Sequence, residues 1–286
     1  MSTEHEVEIL LENLYHTHEK REVAGDEHSA RSFIGMSKAF GPNMGIRIFG
    51  ELDEHGFHRT GYFPYLTGSG VTTRERVNVQ IKGSGSGYCG LVEDGRVGVS
   101  LIFTVQNPVR YYKEYSRGYF HGDMTTVTFS GLAASGKVLL PAKSDSHAET
   151  KPSSEDFYRK HDALVRAARN GNPEAIESLT IEDMDTYAMI TRRLVTEDLY
   201  SIVETTFMPD GMECDQYQVL GTILFYTKVQ NVITKEFVYQ MTISCNGMTF
   251  DICINEQDLL GEPDVGRRFK GTLWLQGALN FSGRKI

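Results

Sequence analysis

Apolar residues recur at helical spacing near the start of the chain. Val7, Leu10, Leu11 and Leu14 form one stripe and glutamates gather ahead of it. Residues 3–19 therefore predict an amphipathic helix whose acidic N-terminus suits the helix dipole. A polar connector follows, and from Phe33 to about Pro141 the period shortens to two. MGIRIFGEL, GFHRTGYFPYL, RVNVQIKG, GRVGVSLIFTVQ, TTVTFSGL and GKVLLP are rich in β-branched and aromatic residues and are parted by glycine-bearing breaks, which is strand chemistry. Asp53-Glu54-His55-Gly56 and Glu93-Asp94-Gly95 read as tight turns, with glycine supplying the positive φ. PVRYYKEYS, residues 108–116, predicts one short helix with Pro in its first turn.

The polar stretch KSDSHAETKPSSED, residues 143–156, has no periodicity and reads as a linker. Beyond it the helical period returns, with Phe157, Leu164, Val165 and Ala168 on one face. Asn172-Pro173 opens a second helix, Thr180 with Asp183 a third and Thr196 a fourth, before Met208-Pro209-Asp210-Gly211 ends the run. From Val219 onward the order is long strand, strand, Asn246-Gly247 turn, strand, short acidic helix, and a strand around Trp274. That order suits a small Greek-key barrel of the oligonucleotide/oligosaccharide-binding (OB) type. Too few residues follow the acidic helix for two full strands, so a fifth barrel strand must be short, borrowed or absent. A small open sheet packed on the helices is the alternative.

The expected architecture is α+β. It comprises an N-terminal helix and connector (1–30), an antiparallel β domain (31–142), the linker (143–156), a helical subdomain (157–207) and an OB-like β module (208–286). Trp274 alternates with Leu273 and Leu275 on the last strand. Its size assigns it to the core, with the two leucines covered by the helices; the reverse is the other arrangement.

RNGNPEAIESLTIEDMDTY, PDGMECDQYQVLG and GEPDVGRRFKGTLWLQG, within residues 169–221 and 261–277, resemble an uncharacterised family of bacterial proteins of about this length. That family is known only as a domain of unknown function. YFPYLTGSGVTTRE and GRVGVSLIFTVQN are similar to its N-terminal half, so the resemblance runs from about Met44 onward. It implies no activity, cofactor or catalytic residue. The opening of the chain differs from the family's pattern, which begins with a short apolar segment ahead of its first acidic helix.

Composition narrows the function classes. A hydrophobic content of 40% and a charged content of 23% describe a folded chain. The net charge of −9 disfavours a duplex-DNA binder or an anionic-membrane binder, each of which needs a basic face. Residues 31–150 are the one positive block, with thirteen basic against ten acidic side chains, and an anionic ligand belongs there. The four cysteines make no CxxC pair, and simple register opposes Cys245 to Met248 and Cys253 to Gln240, so no disulfide is expected. No apolar run approaches the roughly 20 residues of a membrane span, and the first residues lack the basic flank of a signal peptide. A cytoplasmic location follows as the expectation.

Catalytic signatures are weak. Gly85-Ser86-Gly87-Tyr88-Cys89-Gly90 has the letters of a dinucleotide loop, but a strand follows it rather than a phosphate-binding helix. Gly83-Ser84-Gly85-Ser86-Gly87 has those of a serine elbow without the strand–helix context. His16 and His18 sit about 200° apart on a helix and cannot readily share a metal with Glu19, Glu22, Asp26 and His28. His121 beside Asp123 lacks a nucleophile, and His55 and His58 flank a turn. No catalytic residue, metal or cofactor is expected.

Aromatic residues interleaved with cations remain. They are Arg59, Tyr62, Phe63 and Tyr65 on one strand, Arg110 and Tyr112 in the crowded 110–120 segment, and Arg267 ahead of the last strand. The leading expectation is a non-catalytic binding or adaptor protein whose partner is a protein or a small anionic ligand. The alternatives are an enzyme with a site assembled between domains, and a single-stranded RNA or nucleotide binder. The RNA reading requires a continuous groove from Arg59 and Tyr65 to residues 110–120.

Overall fold

The computed structural model describes residues 4–25, 32–82, 87–141, 154–181, 184 and 203–281. The first layer is helix α1 (Glu4–Thr17) on an antiparallel meander of β1 (Lys20–Ala24), β2 (Ser32–Gly41), β3 (Met44–Asp53) and β4 (Gly56–Leu66). The stripe read from the sequence is the docking face. Leu11 and Leu14 are buried against Ile34, Met36, Ile46 and Ile48, with Val7 and Leu10 at the margin. Burying two leucines in this way stabilises the layer by about 3–6 kcal/mol.

The second sheet begins with β5 (Val77–Ile81), β6 (Tyr88–Glu93) and β7 (Ser100–Val105), and helix α2 (Pro108–Ser116) covers the aromatic side of the first meander. Next come β8 (Thr126–Leu139), helix α3 (Ser154–Arg169), β9 (Thr206–Pro209), β10 (Gln216–Gln230), β11 (Phe237–Cys245), β12 (Met248–Asn255), β13 (Leu259–Leu260) and β14 (Arg268–Asn280). Five of these close a barrel. β10, β11 and β12 form an antiparallel meander, β8 lies parallel to β12, and β14 runs antiparallel to both β8 and β10. Closure is tight where Gly271 faces Gly136, because the Phe269 ring fills the space a side chain would need: a Cβ at Gly136 would come within 2.5 Å of it.

This corrects the expected layout. The 31–142 stretch is not one unit: residues 32–66 form the first sheet together with β1, read as connector, while residues 77–139 join residues 206–280 in the second. The fifth barrel strand is borrowed, and β8 lends it. The β10–β14 edge continues into the β5–β7 wing, since the far end of β14 pairs parallel with β7 at Gln276↔Thr104 and Gly277↔Val105. The strand read from Gly95 starts only at Ser100, and residues 206–209, read as a helix end, form β9 against β10. Asn172 caps the helical stretch 173–181 as expected, its side chain accepting from the Glu174 and Ala175 amides. Of the expected linker 143–156, residues 143–153 lie outside the described residues and residues 154–156 already belong to α3; most of the third and fourth helices also lie outside the described residues.

Local chemistry sets the β11–β12 turn. Asn246 and Gly247 both take positive φ, 49° and 71°, which matches the right-handed twist of the flanking strands. Cys245 then faces Met248 and Cys253 faces Gln240, the register expected from the sequence. Gly247→Ala is expected to cost roughly 1 kcal/mol, because a side chain there strains the left-handed backbone. Urea denaturation with an unchanged m-value is the measurement; an unchanged midpoint would contradict the account.

Buried glutamines join the two sheets. The two Nε2 protons of Gln106 are shared among the carbonyl of Leu66 (2.8 Å), Ser130 Oγ (2.9 Å) and Gln276 Oε1 (2.8 Å), while Gln276 Nε2 donates to the carbonyl of Pro64 (2.8 Å). Arg47 donates to the Gln106 carbonyl, and Met44 and Leu66 pack on Val238 and Cys253.

Candidate functional site: a cleft between β4 and β14

β4 is the edge strand of the first sheet, and Pro64, which has no amide N–H, is tolerated there for that reason. Its alternate carbonyls at Pro64 and Leu66 turn away from β3 and are met by Gln276 and Gln106. Moving back along both strands from the Gln276–Pro64 contact, β4 and β14 part. Trp274, two residues before Gln276 and therefore on the same face of β14, and Tyr62, two residues before Pro64, stand on opposite sides of the gap. The cleft has a volume of about 430 Å³ and is lined by Arg59 to Phe63 on one side and by Lys82, Thr104 and Trp274 on the other. That volume suits a small ligand.

Trp274 is half-buried on the cleft face while Leu273 and Leu275 fill the barrel core, so its assignment to the core is corrected. The leucines face the interior that β8 and β10 close, leaving the indole for the outer face. Its orientation is fixed from behind. Asp215, at the start of β10 and tied to β14 by its carbonyl accepting from the Leu275 amide (2.8 Å), collects three donors on one oxygen. These are Thr104 Oγ1 (2.8 Å), Trp274 Nε1 (2.9 Å) and Lys82 Nζ (3.1 Å). Burial pushes the Asp215 pKa up, but the Thr104 and Trp274 hydrogen bonds and the Lys82 ammonium outweigh it and hold the carboxyl below its usual value.

The charged side chains lining the cleft, Arg59 and Lys82, are both cations. Each has a carboxylate partner and keeps donors in reserve. Arg59 Nη2 donates to both oxygens of Glu8 of α1 (2.7 and 3.0 Å), leaving Nε–H and Nη1 without a partner among the described residues, and its guanidinium lies 5.7 Å from the Tyr62 ring centre. Lys82 uses two of three protons, on Asp215 and on Thr104 Oγ1 (2.8 Å). The Arg59–Glu8 pair is partly exposed, and such pairs contribute no more than about 1 kcal/mol, so a bound anion can displace it.

The other sequence candidates lie elsewhere. Tyr65 lines a separate apolar cleft of about 280 Å³ between β3–β4 and the barrel, under the Arg47 guanidinium at 5.4 Å. Arg110 stacks on Phe281 at 5.3 Å, and Tyr112 packs edge-on against Phe33 at 5.6 Å. Arg267 bonds the Glu262 carbonyl in the turn before β14. Ring contacts do connect β4 to α2, through Phe63, Phe49, Phe33 and Tyr112, but Phe49 is buried, so the link runs through packed side chains rather than along an open groove. No histidine lines either of these two clefts, and no cluster of three or more His, Cys, Asp or Glu residues suited to a metal occurs among the described residues. Gly87 leads into strand β6, not a helix, and residues 83–86 of the glycine loop lie outside the described residues.

Fold and site together define a two-sheet β protein built round a closed five-stranded barrel, with a cationic, aromatic cleft where the sheets part. The chain belongs to the family described as a domain of unknown function named for an E. rectale gene, DUF3881, which it matches over residues 1–277. The match takes in the opening helix as well as the stretch from Met44 onward. No curated protein and no solved structure matches the chain. Among the described residues no helix is long and apolar enough to cross a membrane.

Proposed function

We propose that this protein is a non-catalytic binding protein whose ligand is small and anionic and sits in the cleft between β4 and β14. The observation that carries this reading is the cleft's lining: Arg59 and Lys82 with unused donors, flanked by Tyr62, Phe63 and Trp274. Unused N–H donors without a matching acceptor favour a carboxylate or phosphate.

The barrel's order supports an OB-type ancestry in which β10, β11, β12 and β14 are strands one to four and β8 is the fifth. In that type the second and third strands carry the oligonucleotide face. Here β11 and β12 are covered by the β3–β4 layer: Gln240 Nε2 donates to the Pro42 carbonyl (2.6 Å), and Ser69 donates to Asp251 through N and Oγ (both 2.6 Å). That cover favours a small ligand in the neighbouring cleft over a strand of RNA on the barrel.

The test is a titration with pyrophosphate, AMP and a short single-stranded RNA at two salt concentrations, read through the fluorescence of Trp274, the chain's single tryptophan. Arg59→Ala with Lys82→Gln is expected to weaken binding at least about tenfold and to flatten its salt dependence. Arg110→Ala, away from the cleft, is expected to change neither. Failure of every anionic probe to bind, or equal binding by the double variant, would sink the proposal.

A further inference from the structure

We infer that the cleft's ligand is an extended acidic peptide segment that adds to the free edge of β4, an inference that rests on the cleft being an anion site. Three observations lead there. The first is the direction of the β4 backbone. Pro64 and Leu66 present their carbonyls away from β3, and Thr67 N–H bonds back to Asn43, so even-numbered residues in this part of the strand face outward. Tyr62 shares that parity and pairs with Ile48 as Pro64 pairs with Ile46, so its N–H and C=O both point into the cleft.

The second observation is what already occupies the rest of the edge. At Pro64 and Leu66 the second sheet supplies glutamine amides in place of a neighbouring strand, from Gln276 of β14 and from Gln106 just past β7. The gap opens beyond them, and at Tyr62 no such substitute is found among the described residues. The ladder position therefore stands next to two that are filled, with the space of the cleft alongside it.

The third is charge and the alternation of side chains. An added strand points successive side chains to opposite faces of the sheet. Arg59 and Tyr62 lie on the α1 side, where Glu8 already models a carboxylate on the guanidinium, whereas Trp274 belongs to the barrel side. A peptide alternating acidic with apolar residues puts carboxylates toward Arg59 and apolar side chains on the indole. A nucleotide would use the cations and rings but not the paired N–H and C=O of Tyr62. Strand addition of this kind draws affinity from backbone hydrogen bonds and specificity from the alternate side chains.

The experiment uses the full chain and three probes: acetyl-Val-Glu-Val-Glu-amide, the same peptide N-methylated on its two central residues, and acetyl-Val-Lys-Val-Lys-amide. Binding is followed by Trp274 fluorescence, and exchange of the Tyr62 amide proton by NMR. The acidic peptide is expected to bind and to slow Tyr62 exchange at least tenfold, with the N-methylated and basic peptides at least tenfold weaker. Tyr62→Pro, which removes both the ring and the edge amide, is expected to weaken the acidic peptide at least tenfold more than Tyr62→Ala, which removes the ring but keeps the amide. Equal binding of the N-methylated peptide, or binding without protection of Tyr62, overturns strand addition and leaves the anion site standing. Binding of AMP or RNA but not of the acidic peptide does the same. If no anionic probe binds, both readings fall.

Discussion

A fragment carrying residues 203–281 alone is expected to stay unfolded, and to fold when a peptide carrying residues 124–141 is added. Without β8, β14 loses a partner along thirteen register pairs, from Arg268↔Leu139 to Asn280↔Thr126, and β12 loses its parallel neighbour at Asp251 to Ile254. Val127 and Phe129, both buried in the core, go with it. Those two side chains alone account for about 3–6 kcal/mol, and the stranded ladder adds to this. A domain's whole stability is only about 5–15 kcal/mol. Circular dichroism and proton NMR of the fragment, with and without the peptide, decide the matter. A dispersed spectrum and cooperative melting by the fragment alone would show that β10 to β14 hold together unaided.

Asp215→Ala is expected to cost about 3 kcal/mol and to abolish the fixed geometry of the cleft. Removing the carboxylate takes the counter-charge from the Lys82 ammonium and the acceptor from the Thr104 hydroxyl, and leaves Trp274 Nε1 only its longer contact to Thr104 Oγ1 (3.2 Å), the situation in which breaking a shielded ion pair is most damaging. The pH dependence has a definite sign. The folded state holds the Asp215 carboxyl below its unfolded value, so its contribution is complete above that value, about 3.9, and is lost as pH falls through the lower folded one. The stability gap between the natural chain and Asp215→Asn should therefore be flat from pH 7 to about pH 5 and close below about pH 4. Urea midpoints at a series of pH values test this. A gap that persists undiminished to the acid limit would show that shape, not charge, carries the effect.

Sequence patterns revealed what neighbours along the chain decide. The stripe Val7, Leu10, Leu11 and Leu14 gave α1 its face, Pro108 opened α2 where expected, and Asn246-Gly247 fixed the register of Cys245 and Cys253. Pairing between distant strands left no comparable mark. A period of two tells which face of β8 is apolar but not that its partners, β12 and β14, lie more than a hundred residues later. Trp274 was ambiguous for a related reason: β14 is covered on both faces, by the core and by the cleft wall, so alternation could not choose between them. Half the site was legible, because Arg59 and Tyr62 sit close together on one strand. Lys82 and Asp215 are 133 residues apart and Trp274 lies 59 beyond Asp215, so no local pattern could join them.

The loan of β8 to the barrel also bears on how the chain reaches its native state during synthesis. β8 leaves the ribosome well before β14, with residues 140–267 still to be made. At about 5–20 residues per second that interval lasts roughly 6 to 26 seconds. Throughout it, Val127 and Phe129 have only the part of their core that precedes them, such as Phe103, and β8 lacks its ladder partners β12 and β14. The α1–β4 layer, whose own core of Leu11, Leu14, Ile34, Met36, Ile46 and Ile48 is local in sequence, can assemble at once, whereas barrel closure must await β14. Folding is therefore split in time: an early, local half and a late half dominated by distant contacts, which is the slow and aggregation-exposed class.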